Sequence, residues 1–564
     1  MALNELKLFP STGRGDSLRY ACPEPRRRAH YAGYSGRTER HPKGNSPFVV
    51  SSLAEQGVSN HERAPTVGWL NESATPGRAE LLARLRANQT WDVLIIGGGA
   101  TGLGCAVDAA ARGYRTLLLE RGDYACGTSS RSTKLIHGGV RYLRQGDLSL
   151  VRHALLERAR LLENAAPLVR PLPFVIPARG ILEKLKFGAG LKLYDLLAGA
   201  RNIAPSSLLD RAETLAALPG LRSDRVSGGV RYWDAQFDDA RLAIALMRTA
   251  TDLGASCLNY FPVEGLRKVA GRVQGVSARD AETGEAFELR ARVVINATGV
   301  YADSVRRFDD PAAAPMLAHS QGIHLVVDAG FLPGDTALLV PETEDGRVVF
   351  AIPWLGKVLL GTTDTERTDL PDDPQPFTEE VDFLLRTVAG VLARPPQRSD
   401  VRSAFAGLRP LLDPEHAADG GKQGKSAGLS REHAVVVSDS GLVTVTGGKW
   451  TTYRWMAEQV VDRAAHEGGL PSVPCSTHDL RLNCTALPES VEAMARFAIR
   501  HEAARTIEDI LARRSRALFL DAAGAEAAIE GVGKMLAEER ALSPAQLATQ
   551  LQAARESAQR FQLG

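Results

Sequence analysis

An apolar stretch, a glycine-rich turn and an apolar helix in succession most limit what this chain can fold into. Residues 91–96 are typical of a buried parallel strand, and residues 97–102 after them have the spacing G-x-G-x-x-G. A helical pattern with small residues covers 103–112, and a second strand pattern, 115–120, ends in an acid. This order of elements predicts a Rossmann-like unit that binds a dinucleotide.

Each glycine of the turn has a role in such a unit. Gly97 permits the tight turn, Gly99 lets the backbone approach a pyrophosphate, and Gly102 lets the helix pack closely on the strand. The first N–H groups of the helix and the positive end of its dipole then face the phosphates. Glu120 lies where a carboxylate accepts hydrogen bonds from ribose hydroxyls. The predicted cofactor contacts in this unit are Gly97, Gly99, Ala100, Thr101, Gly102 and Glu120.

The next segment indicates which dinucleotide is bound. Residues 124–142 are polar and glycine-rich, where a plain Rossmann domain would form a helix. Residues 128–143 read T-S-S-R-S-T-K-L-I-H-G-G-V-R-Y-L. This closely resembles the run T-S-S-x-S-[ST]-K-L-I-H-G-G-[LIV]-R-Y-L of the FAD-dependent glycerol-3-phosphate dehydrogenases. The resemblance implies FAD as the cofactor, with contacts from Thr128, Ser129, Ser130, Lys134, His137, Gly138 and Gly139.

Further signatures of that family follow in the family's order, and the resemblance covers residues 91 to about 530. Gly361-Thr-Thr-Asp364 resembles a G-T-T-D turn, and residues 447–454 have the pattern G-G-K-x-T-T-Y-R. A strand meander returns to the parallel sheet at residues 297–299, as in two-domain FAD folds. The remaining predicted cofactor contacts are Val263, Ala297, Thr298, Gly299, Asp364, Gly448, Lys449, Thr451 and Thr452.

The predicted fold class is α/β: an FAD-binding, Rossmann-like flavoprotein of the glutathione-reductase or amino-acid-oxidase type. An antiparallel β substrate domain and a C-terminal helical domain complete it. The predicted domains are a disordered extension (1–75), an FAD-binding domain (91–315 and 435–470), a substrate domain (316–434) and a helical domain (475–564). The extension lacks an apolar period, and both a transit peptide and a mis-assigned start codon remain open.

Oxidation of a secondary alcohol needs a hydride acceptor, a base and an anchor that holds the substrate in register. The resemblance implies a phosphate anchor of Arg141, Arg409, Arg431 and Lys449, because arginine forks match phosphate oxygens. His137 is the favoured base and His324, on a substrate-domain strand, is its rival. Tyr142 is expected to line the pocket, and Lys449 to stabilise a developing alkoxide or the reduced flavin. The predicted catalytic residues are therefore His137, Lys449 and Arg409, and no metal ligand is predicted.

Two helical stretches after the flavin segment carry many charges. In residues 148–166 the leucines are predicted to face inward, and Glu157 and Arg158 to face solvent. Residues 181–203 form a basic amphipathic stretch with a Gly-Ala-Gly interruption. That stretch fits either a core helix with a solvated face or an interfacial membrane helix. The resemblance favours the second, because these family members are peripheral membrane enzymes that pass electrons to quinone.

Composition excludes several other classes of function. A net charge of +2 gives no case for nucleic-acid binding. The six cysteines are scattered without metal-like spacing, which fits reduced thiols in the cytoplasm. No EF-hand loop is present, so calcium control is not expected.

The sequence therefore predicts a quinone-linked dehydrogenase that oxidises sn-glycerol 3-phosphate to dihydroxyacetone phosphate by hydride transfer to FAD. We expect it at the cytoplasmic face of the inner membrane, held by its basic amphipathic segment, with homodimer formation left open. Two alternatives remain. One is an oxidase that uses O2, and the other is a non-catalytic, membrane-associated flavoprotein.

Overall fold

The computed structural model describes residues 76–139, 148–340, 343, 348–413 and 433–563. The predicted N-terminal extension (1–75), Arg141, Tyr142 and Arg431 lie outside the described residues.

Two β-sheets form the frame of the molecule. In chain order, the strands of the described residues are β1 (Thr90–Ile96), β2 (Thr116–Leu119), β3 (Leu135–Ile136), β4 (Val169–Ala178), β5 (Ser207–Leu209), β6 (Gly228–Phe237), β7 (Ser256–Leu258), β8 (Val263–Val269), β9 (Arg272–Arg279), β10 (Ala286–Asn296), β11 (Leu317–Asp328), β12 (Ala337–Val340), β13 (Val349–Trp354), β14 (Lys357–Gly361), β15 (Thr365–Arg367), β16 (Val401–Leu412), β17 (His433–Val437) and β18 (Val443–Gly447).

The first sheet is the predicted dinucleotide-binding sheet. Its strand order is β17-β18-β10-β1-β2-β7, in which β18, β10, β1, β2 and β7 run parallel to one another and β17 is antiparallel to β18. The near-continuous apolar sequences of β1 and β2 suit a sheet covered on both faces. The meander β8–β9 attaches to the sheet through β10. The carboxyl ends of β1, β2 and β10 meet at one edge, which is where ligands bind in sheets of this type.

The second sheet is largely antiparallel, with the order β15-β11-β14-β13-β12-β4-β6-β3; β16 pairs with β11, and β5 with β6. Its strands come from two separate parts of the chain. β3 to β6 lie inside the range predicted for the FAD-binding domain, and β11 to β16 lie inside the range predicted for the substrate domain. The sheets are thus interlaced along the sequence, and no single boundary near residue 316 separates them. The sequence did not indicate this because strand patterns do not reveal which sheet a strand joins.

The α-helices of the described residues cover the sheets and build the C-terminal region. In chain order they are α1 (Arg78–Arg86), α2 (Ala100–Ala111), α3 (Leu148–Asn164), α4 (Ile181–Ala198), α5 (Arg211–Ala217), α6 (Asp239–Asp252), α7 (Ala302–Asp309), α8 (Thr378–Ala389), α9 (Tyr453–Glu467), α10 (Val491–His501), α11 (Ala517–Leu520), α12 (Ala522–Glu526), α13 (Ile529–Arg540) and α14 (Pro544–Arg560).

The helices enclose separate apolar cores. Helices α2, α6 and α9 pack on one face of the first sheet, and α1 with the β8–β9 meander packs on the other. Helix α8 covers one face of the second sheet, and the C-terminal helices from α10 onward cover part of the opposite face. The first sheet is therefore covered on both faces, and the second sheet on one face and on part of the other.

The prediction that Glu157 and Arg158 of α3 face solvent is wrong. Glu157 is 3% exposed and Arg158 is fully buried. Two nitrogens of Arg454 donate to Glu157, each at 2.8 Å, and Arg158 Nη1 donates to Asp234 Oδ1 at 2.6 Å. Buried charges are tolerated when they are paired and hydrogen-bonded in this way. The partners lie far away in sequence, so helical periodicity alone could not reveal them.

Helix α4 carries two apolar stripes on opposite sides. The inner stripe, Gly188, Leu191, Tyr194 and Ala198, is buried. The outer stripe consists of Leu182, Leu185, Leu193 and Leu196, which are 80, 50, 41 and 75% exposed. The helix continues through the Gly-Ala-Gly triplet that was predicted to interrupt it. Gly188 has a packing role instead, since a Cβ there would lie 2.7 Å from Leu208 Cδ2. Within the described residues, no helix is both long and apolar enough to cross a bilayer.

Candidate active site

The glycine turn between β1 and α2 forms a close backbone cradle. Gly97 has a φ of +110°, and a Cβ on Gly102 would lie 2.0 Å from the Gly97 carbonyl oxygen. Gly99 precedes α2 with no side chain that caps the helix. The start of the helix, which includes Ala100 and Thr101, therefore has the close backbone approach that a phosphate site needs, with Ser129 Oγ as its one side-chain partner in the described residues.

The carboxyl ends of the neighbouring strands complete this cradle. The Gly98 and Gly122 amides donate to the Glu120 carboxylate at 2.6 and 2.8 Å. Burial raises the pKa of this carboxyl. On the other side of β1, the Ala297 amide donates to Ile96 O at 2.9 Å, so that the turn Ala297-Thr298-Gly299 lies beside Gly97. Glu120 and the turn Ala297-Thr298-Gly299 therefore border the glycine cradle, and their contacts with the adenosine half of FAD stay a prediction.

Val263 lies near Glu120, because a main-chain hydrogen bond holds the start of β8 beside the end of β2. It opens β8, two residues after Phe261, whose amide donates to Glu120 O at 2.8 Å. The structure therefore brings Val263 near the end of β2, as a contact with the adenosine end of the cofactor requires. The contact itself stays a prediction.

The segment 128–139 connects the cradle to the second sheet and to the turn before α9. The Ala100 amide donates to Ser129 Oγ at 2.9 Å, and Trp450 Nε1 donates to Ser129 O at 2.8 Å. Thr128 Oγ1 donates to Leu408 O on β16 at 2.7 Å. The three predicted flavin motifs thus meet around one short 3-10 helix, Thr128–Ser130.

His137 and Gly138 lie where this segment meets the G-G-K-x-T-T-Y-R motif (residues 447–454). The His137 amide donates to Thr451 Oγ1 at 3.3 Å, and the Gly138 amide donates to Tyr194 Oη at 2.8 Å. Tyr194 in turn donates to Asp234 Oδ1 at 2.8 Å. Asp234, Tyr194 and Arg158 therefore hold the backbone beside His137. The sequence did not indicate this role for any of the three; an aspartate beside the aromatic residues of β6 is the one signal that could have revealed them.

Lys134 is fully buried, and its ammonium group is bound by other groups of the protein. Its Nζ donates to Asp239 Oδ2 and to Ser130 O, both at 2.6 Å, and lies 5.0 Å from the centre of the Phe405 ring. Burial lowers the pKa of this ammonium to about 7 although Asp239 opposes the shift. The structure thus gives Lys134 a bracing role in the flavin segment, and a direct contact with FAD stays a prediction.

Arginines from the C-terminal region reach into the same segment. Arg513 Nε donates to Asp123 Oδ2 at 2.5 Å, and Arg514 Nη2 donates to Asp123 Oδ1 at 2.9 Å. Arg516 Nη2 donates to Asp239 Oδ1 at 3.0 Å and to Ser130 O at 3.2 Å. The C-terminal region therefore fixes both ends of the stretch from the end of β2 to Lys134.

Arg409, on β16, is held in a fixed orientation by the second sheet. A Cβ on Gly322, on the adjacent strand β11, would lie 2.0 Å from Arg409 Nη2, so the glycine makes room for the guanidinium. The guanidinium lies within hydrogen-bonding distance (2.9–3.4 Å) of Ser320 Oγ, Gln321 O, Thr362 Oγ1, Thr363 O and Asp364 Oδ1.

Asp364 was predicted to contact the cofactor, and the structure pairs it with Arg409. The Asp364 carboxylate also accepts a hydrogen bond from Ser320 Oγ. It lies on the G-T-T-D turn directly after β14. Asp364 therefore lies beside Arg409 on the second sheet, and not in the glycine cradle.

His324 lies on the same face of the second sheet as Arg409. Antiparallel pairing places Ser320 opposite Arg409 and His324 opposite Phe405, and residues two or four apart on one strand share a face. His324 Nε2 is 3.0 Å from Thr133 Oγ1 of the flavin segment, and the imidazole stacks on Phe405. Burial, with the positive charges of Lys134 and Arg409, lowers the pKa of His324 well below its usual value. The imidazole is therefore neutral at physiological pH.

Lys449 follows Gly448 in the turn between β18 and α9. Thr451 and Thr452, which come next, are buried in a 3-10 helix. Gly448 has a φ of +75°, and Lys449 lines a cavity of about 260 Å³ together with His153, His433 and Trp455.

Among the residues that the structure describes, one cluster with metal-ligand chemistry lies on α9 and the segment after it. Glu458, Cys475 and His478 offer ligand atoms within 4.8 Å of one another. Arg454 donates to Glu458 Oε2 at 2.9 Å and lies 3.7 Å from Cys475 Sγ. A guanidinium thus neutralises the carboxylate that a cation would need, and the cluster is an ion pair.

Comparison with known proteins identifies the class of this molecule. The family model "FAD dependent oxidoreductase" matches residues 92–454, and the model "C-terminal domain of alpha-glycerophosphate oxidase" matches residues 451–547. The first match covers more than half of the chain and includes both sheets. The chain is an FAD-dependent oxidoreductase with FAD as its cofactor, and the predicted fold class and cofactor are confirmed.

Individual relatives narrow the class to one family. The mitochondrial glycerol-3-phosphate dehydrogenase of Mus musculus is 41% identical over 78% of this chain and 62% of its own length. The mitochondrial enzyme of Saccharomyces cerevisiae is 42% identical over 72% of this chain and 68% of its own length. The glycerol-3-phosphate dehydrogenase structure from Bacillus halodurans, complexed with FAD, is 28% identical with a TM-score of 0.71, over 86% of this chain and 98% of that one. The chain belongs to the FAD-dependent glycerol-3-phosphate dehydrogenase family, which confirms the resemblance.

Proposed function

We propose that this protein oxidises sn-glycerol 3-phosphate to dihydroxyacetone phosphate with FAD, and that a membrane quinone reoxidises the flavin. The chain spans about two thirds of the length of the mitochondrial relatives above, and the substrate assignment rests on the site.

The observation that carries the proposal is the arrangement of Arg409, Gly322 and His324 on one face of the second sheet. The guanidinium of Arg409, 23% exposed beside its partner Asp364, is proposed to bind a phosphate dianion, and His324 offers an imidazole further along the same face. Gly322, between them on the same face, makes room for the Arg409 guanidinium. A short polyol that carries one phosphate matches this order of groups, because guanidinium forks bind phosphate oxygens bidentately.

The flavin segment closes over the same face. Thr133 contacts His324, and Thr128 bonds to β16 one residue before Arg409. FAD in the cradle, once bound, supplies the hydride acceptor at its ring. The residues around it orient the substrate carbon toward that acceptor.

The two candidate bases differ in their surroundings. A catalytic base works best when its pKa is near the working pH. The strongly lowered pKa of His324 therefore suits a hydrogen-bond acceptor that positions the substrate hydroxyl. His137, whose backbone is anchored by Thr451, is proposed as the base that takes the hydroxyl proton. Lys449 is proposed to stabilise negative charge as the hydride leaves.

The outer stripe of α4 supports contact with a membrane surface. Four leucines line one side of the helix with 41 to 80% of their surface exposed. Lys186, Lys192 and Arg201 are exposed near them. Exposed apolar residues flanked by cations suit the headgroup region of an anionic bilayer. Attachment of this kind, on the cytoplasmic side of the inner membrane, would bring the enzyme to its quinone.

The decisive test is an anaerobic absorbance titration of the FAD-loaded protein with glycerol 3-phosphate, followed by quinone or by air. Bleaching of the flavin band, with fast recovery by quinone and slow recovery by air, is the expected result. Fast recovery in air would instead establish an oxidase. If saturating glycerol 3-phosphate leaves the oxidised flavin band intact, the substrate assignment is wrong.

A further inference from the structure

The loop that joins β15 to α8 carries two consecutive aspartates at its tip. Residues 370–376 of this loop read L-P-D-D-P-Q-P, so three of the seven are prolines. Proline fixes φ and has no backbone N–H to donate, which makes such a segment stiff. Among the residues that the structure describes, none of these seven forms a backbone–backbone hydrogen bond. Contacts of side chains therefore hold the loop in place.

The two ends of the loop are fixed close together on the second sheet. Gln321 of β11 bonds to both ends: its Oε1 accepts from Arg367 Nη1 at 2.6 Å, and its Nε2 donates to Gln375 O at 3.0 Å. The Arg367 guanidinium also lies 4.8 Å from the centre of the Phe377 ring. The loop thus has a closed base, while its tip contacts other elements.

Asp372, at the tip, connects two strand ends of the first sheet. Its Oδ1 accepts hydrogen bonds from Arg121 Nη2 at 2.6 Å and from Tyr301 Oη at 2.9 Å. Arg121 follows the end of β2 and Tyr301 follows the end of β10, and these two strands lie on either side of β1. The Arg121 guanidinium also lies 4.1 Å from the centre of the Tyr301 ring. The three side chains therefore form a bridge across the edge where the glycine turn lies and where ligands bind in sheets of this type.

Asp373 connects the tip to two further parts of the chain. Its Oδ1 accepts from Arg131 Nη2 and its Oδ2 from Arg560 Nε, both at 2.6 Å. Arg131 belongs to the flavin segment, and it also donates to Ala406 O on β16 at 3.0 Å. Arg560 is the last residue of α14. The tip is thus bound to both sides of the cradle, to the flavin segment and to the C-terminal region.

We propose that residues 370–376 form a strap that closes over the cofactor groove and retains bound FAD. The strap opens about its fixed base when the bonds of Asp372 and Asp373 break. In the closed position it lies across the path by which the cofactor leaves the glycine cradle. The inference goes beyond the proposed function: it rests on FAD as the cofactor and is independent of the substrate that the enzyme oxidises.

The bonds at the tip suit a strap that opens and closes. The side chains of Arg121 and Asp372 are 50 and 77% exposed, so water and salt compete with their ion pair. Arg131 and Asp373 are 9 and 30% exposed, so their pair is screened less and contributes more to closure. The prolines keep the loop near one conformation, which reduces the entropy lost when the tip binds.

The test measures the release of FAD from the holoenzyme in the absence of substrate. Asp372→Asn with Asp373→Asn removes both carboxylates of the tip, and Tyr301→Phe removes one bond of the bridge from its opposite side. Asp382→Asn is the matched control, because Asp382 of α8 pairs with the exposed Arg398. Each FAD-loaded protein is diluted into buffer without FAD, at low and at high ionic strength. Ultrafiltration at successive times gives the amount of flavin that stays on the protein.

We expect FAD release to become faster on the order of tenfold in the double variant, and by a smaller factor in Tyr301→Phe, because hydrogen bonds to charged groups at the tip are lost. Asp382→Asn should keep the wild-type rate. Release from the wild type should become faster with rising ionic strength, and this dependence should be weaker in the double variant, since salt screens the ion pairs that the variant lacks.

Three outcomes would overturn the strap. The first is a wild-type release rate in the double variant, and the second is an equal increase in Asp382→Asn. The third is faster release with the full salt dependence of the wild type, because the aspartates would then not act through ion pairs. Oxidation of glycerol 3-phosphate plays no part in this measurement, so a failure of the proposed function leaves the result for the strap unaffected.

Discussion

The guanidinium of Arg409 lies over a glycine, and this close fit makes position 409 sensitive to a change that preserves charge. Arg409→Lys keeps one positive charge but loses the planar fork that its partners orient. We expect the KM for glycerol 3-phosphate to rise on the order of tenfold or more, and Arg409→Ala to cost about 2–5 kcal/mol in substrate binding. Steady-state kinetics with an artificial acceptor measure both.

Arg402 offers the matched control for this experiment. It lies on the same strand as Arg409 and pairs with Asp328 at the surface. Arg402→Lys should leave the KM unchanged, since exposed ion pairs contribute little. A wild-type KM in both Arg409 variants would refute the phosphate-anchor role.

His324 gives the folded protein a pH dependence with a defined sign. Its pKa is lowered on folding, so below about pH 6.5 the unfolded chain binds a proton that the folded protein does not. Wild-type stability should therefore fall relative to His324→Gln by up to about 1.4 kcal/mol per pH unit as the pH decreases from 6.5. Melting temperatures of both proteins at saturating FAD, between pH 7.5 and 5, measure this difference.

The two proteins differ at one titratable site, so contributions from the other histidines cancel. A difference in Tm that stays constant across this pH range would show that His324 keeps an ordinary pKa.

Residues within local motifs were predictable, and residues defined by distant partners were not. The glycines of the cradle lie where the sequence placed them because their roles depend on a strand, a turn and a helix that adjoin in the chain. Glu157 was placed at the surface, since its partner Arg454 is about three hundred residues away. The pairing of Asp364 with Arg409 could not be predicted, because the two residues lie in separate motifs 45 residues apart; its contact with the cofactor stays a prediction.

At the scale of elements, α4 presents an apolar stripe to solvent that packing does not explain. Leu182 and Leu196 are 80 and 75% exposed, so changing them removes little packing within the protein. Leu182→Asp with Leu196→Asp should abolish co-sedimentation with anionic vesicles and leave oxidation of glycerol 3-phosphate by a soluble acceptor intact. Each buried leucine that is lost weakens membrane binding by about 1.5–3 kcal/mol.

Val269→Asp is a suitable control, because Val269 is also exposed (52%) but lies on the β8–β9 meander. It should sediment with vesicles like the wild type. If the α4 double variant still co-sediments, the membrane contact lies elsewhere.

The sequence predicted a basic amphipathic helix here but could not say which side of it is buried. Both sides carry apolar residues, and periodicity assigns neither to the core. The Tyr194 side of the helix is the buried one, because Val151 and Leu155 of α3 pack against it.

At the scale of the whole molecule, the C-terminal region braces the flavin segment through buried ion pairs. Arg514 is fully buried and shares Asp123 with Arg513. Arg514→Met should lower the melting temperature by several degrees and weaken FAD retention, because breaking a buried pair costs about 3–5 kcal/mol. Thermal unfolding and the flavin content after dialysis measure the two effects.

Arg500→Met is the matched control in the same region. The Arg500 side chain is 58% exposed and pairs with Glu539. Such exposed ion pairs contribute about 0–1 kcal/mol. Equal melting temperatures and flavin contents for the two variants would contradict the bracing role.

The interlaced order of strands has a consequence for synthesis on the ribosome. The first sheet includes β18, which ends at Gly447, and the second sheet takes strands from both before and after β10. A nascent chain therefore cannot complete either sheet until most of its length has emerged, and unpaired strand edges stay exposed meanwhile. Because distant segments must pair late, we expect folding in the cell to depend on chaperones that shield these edges during elongation.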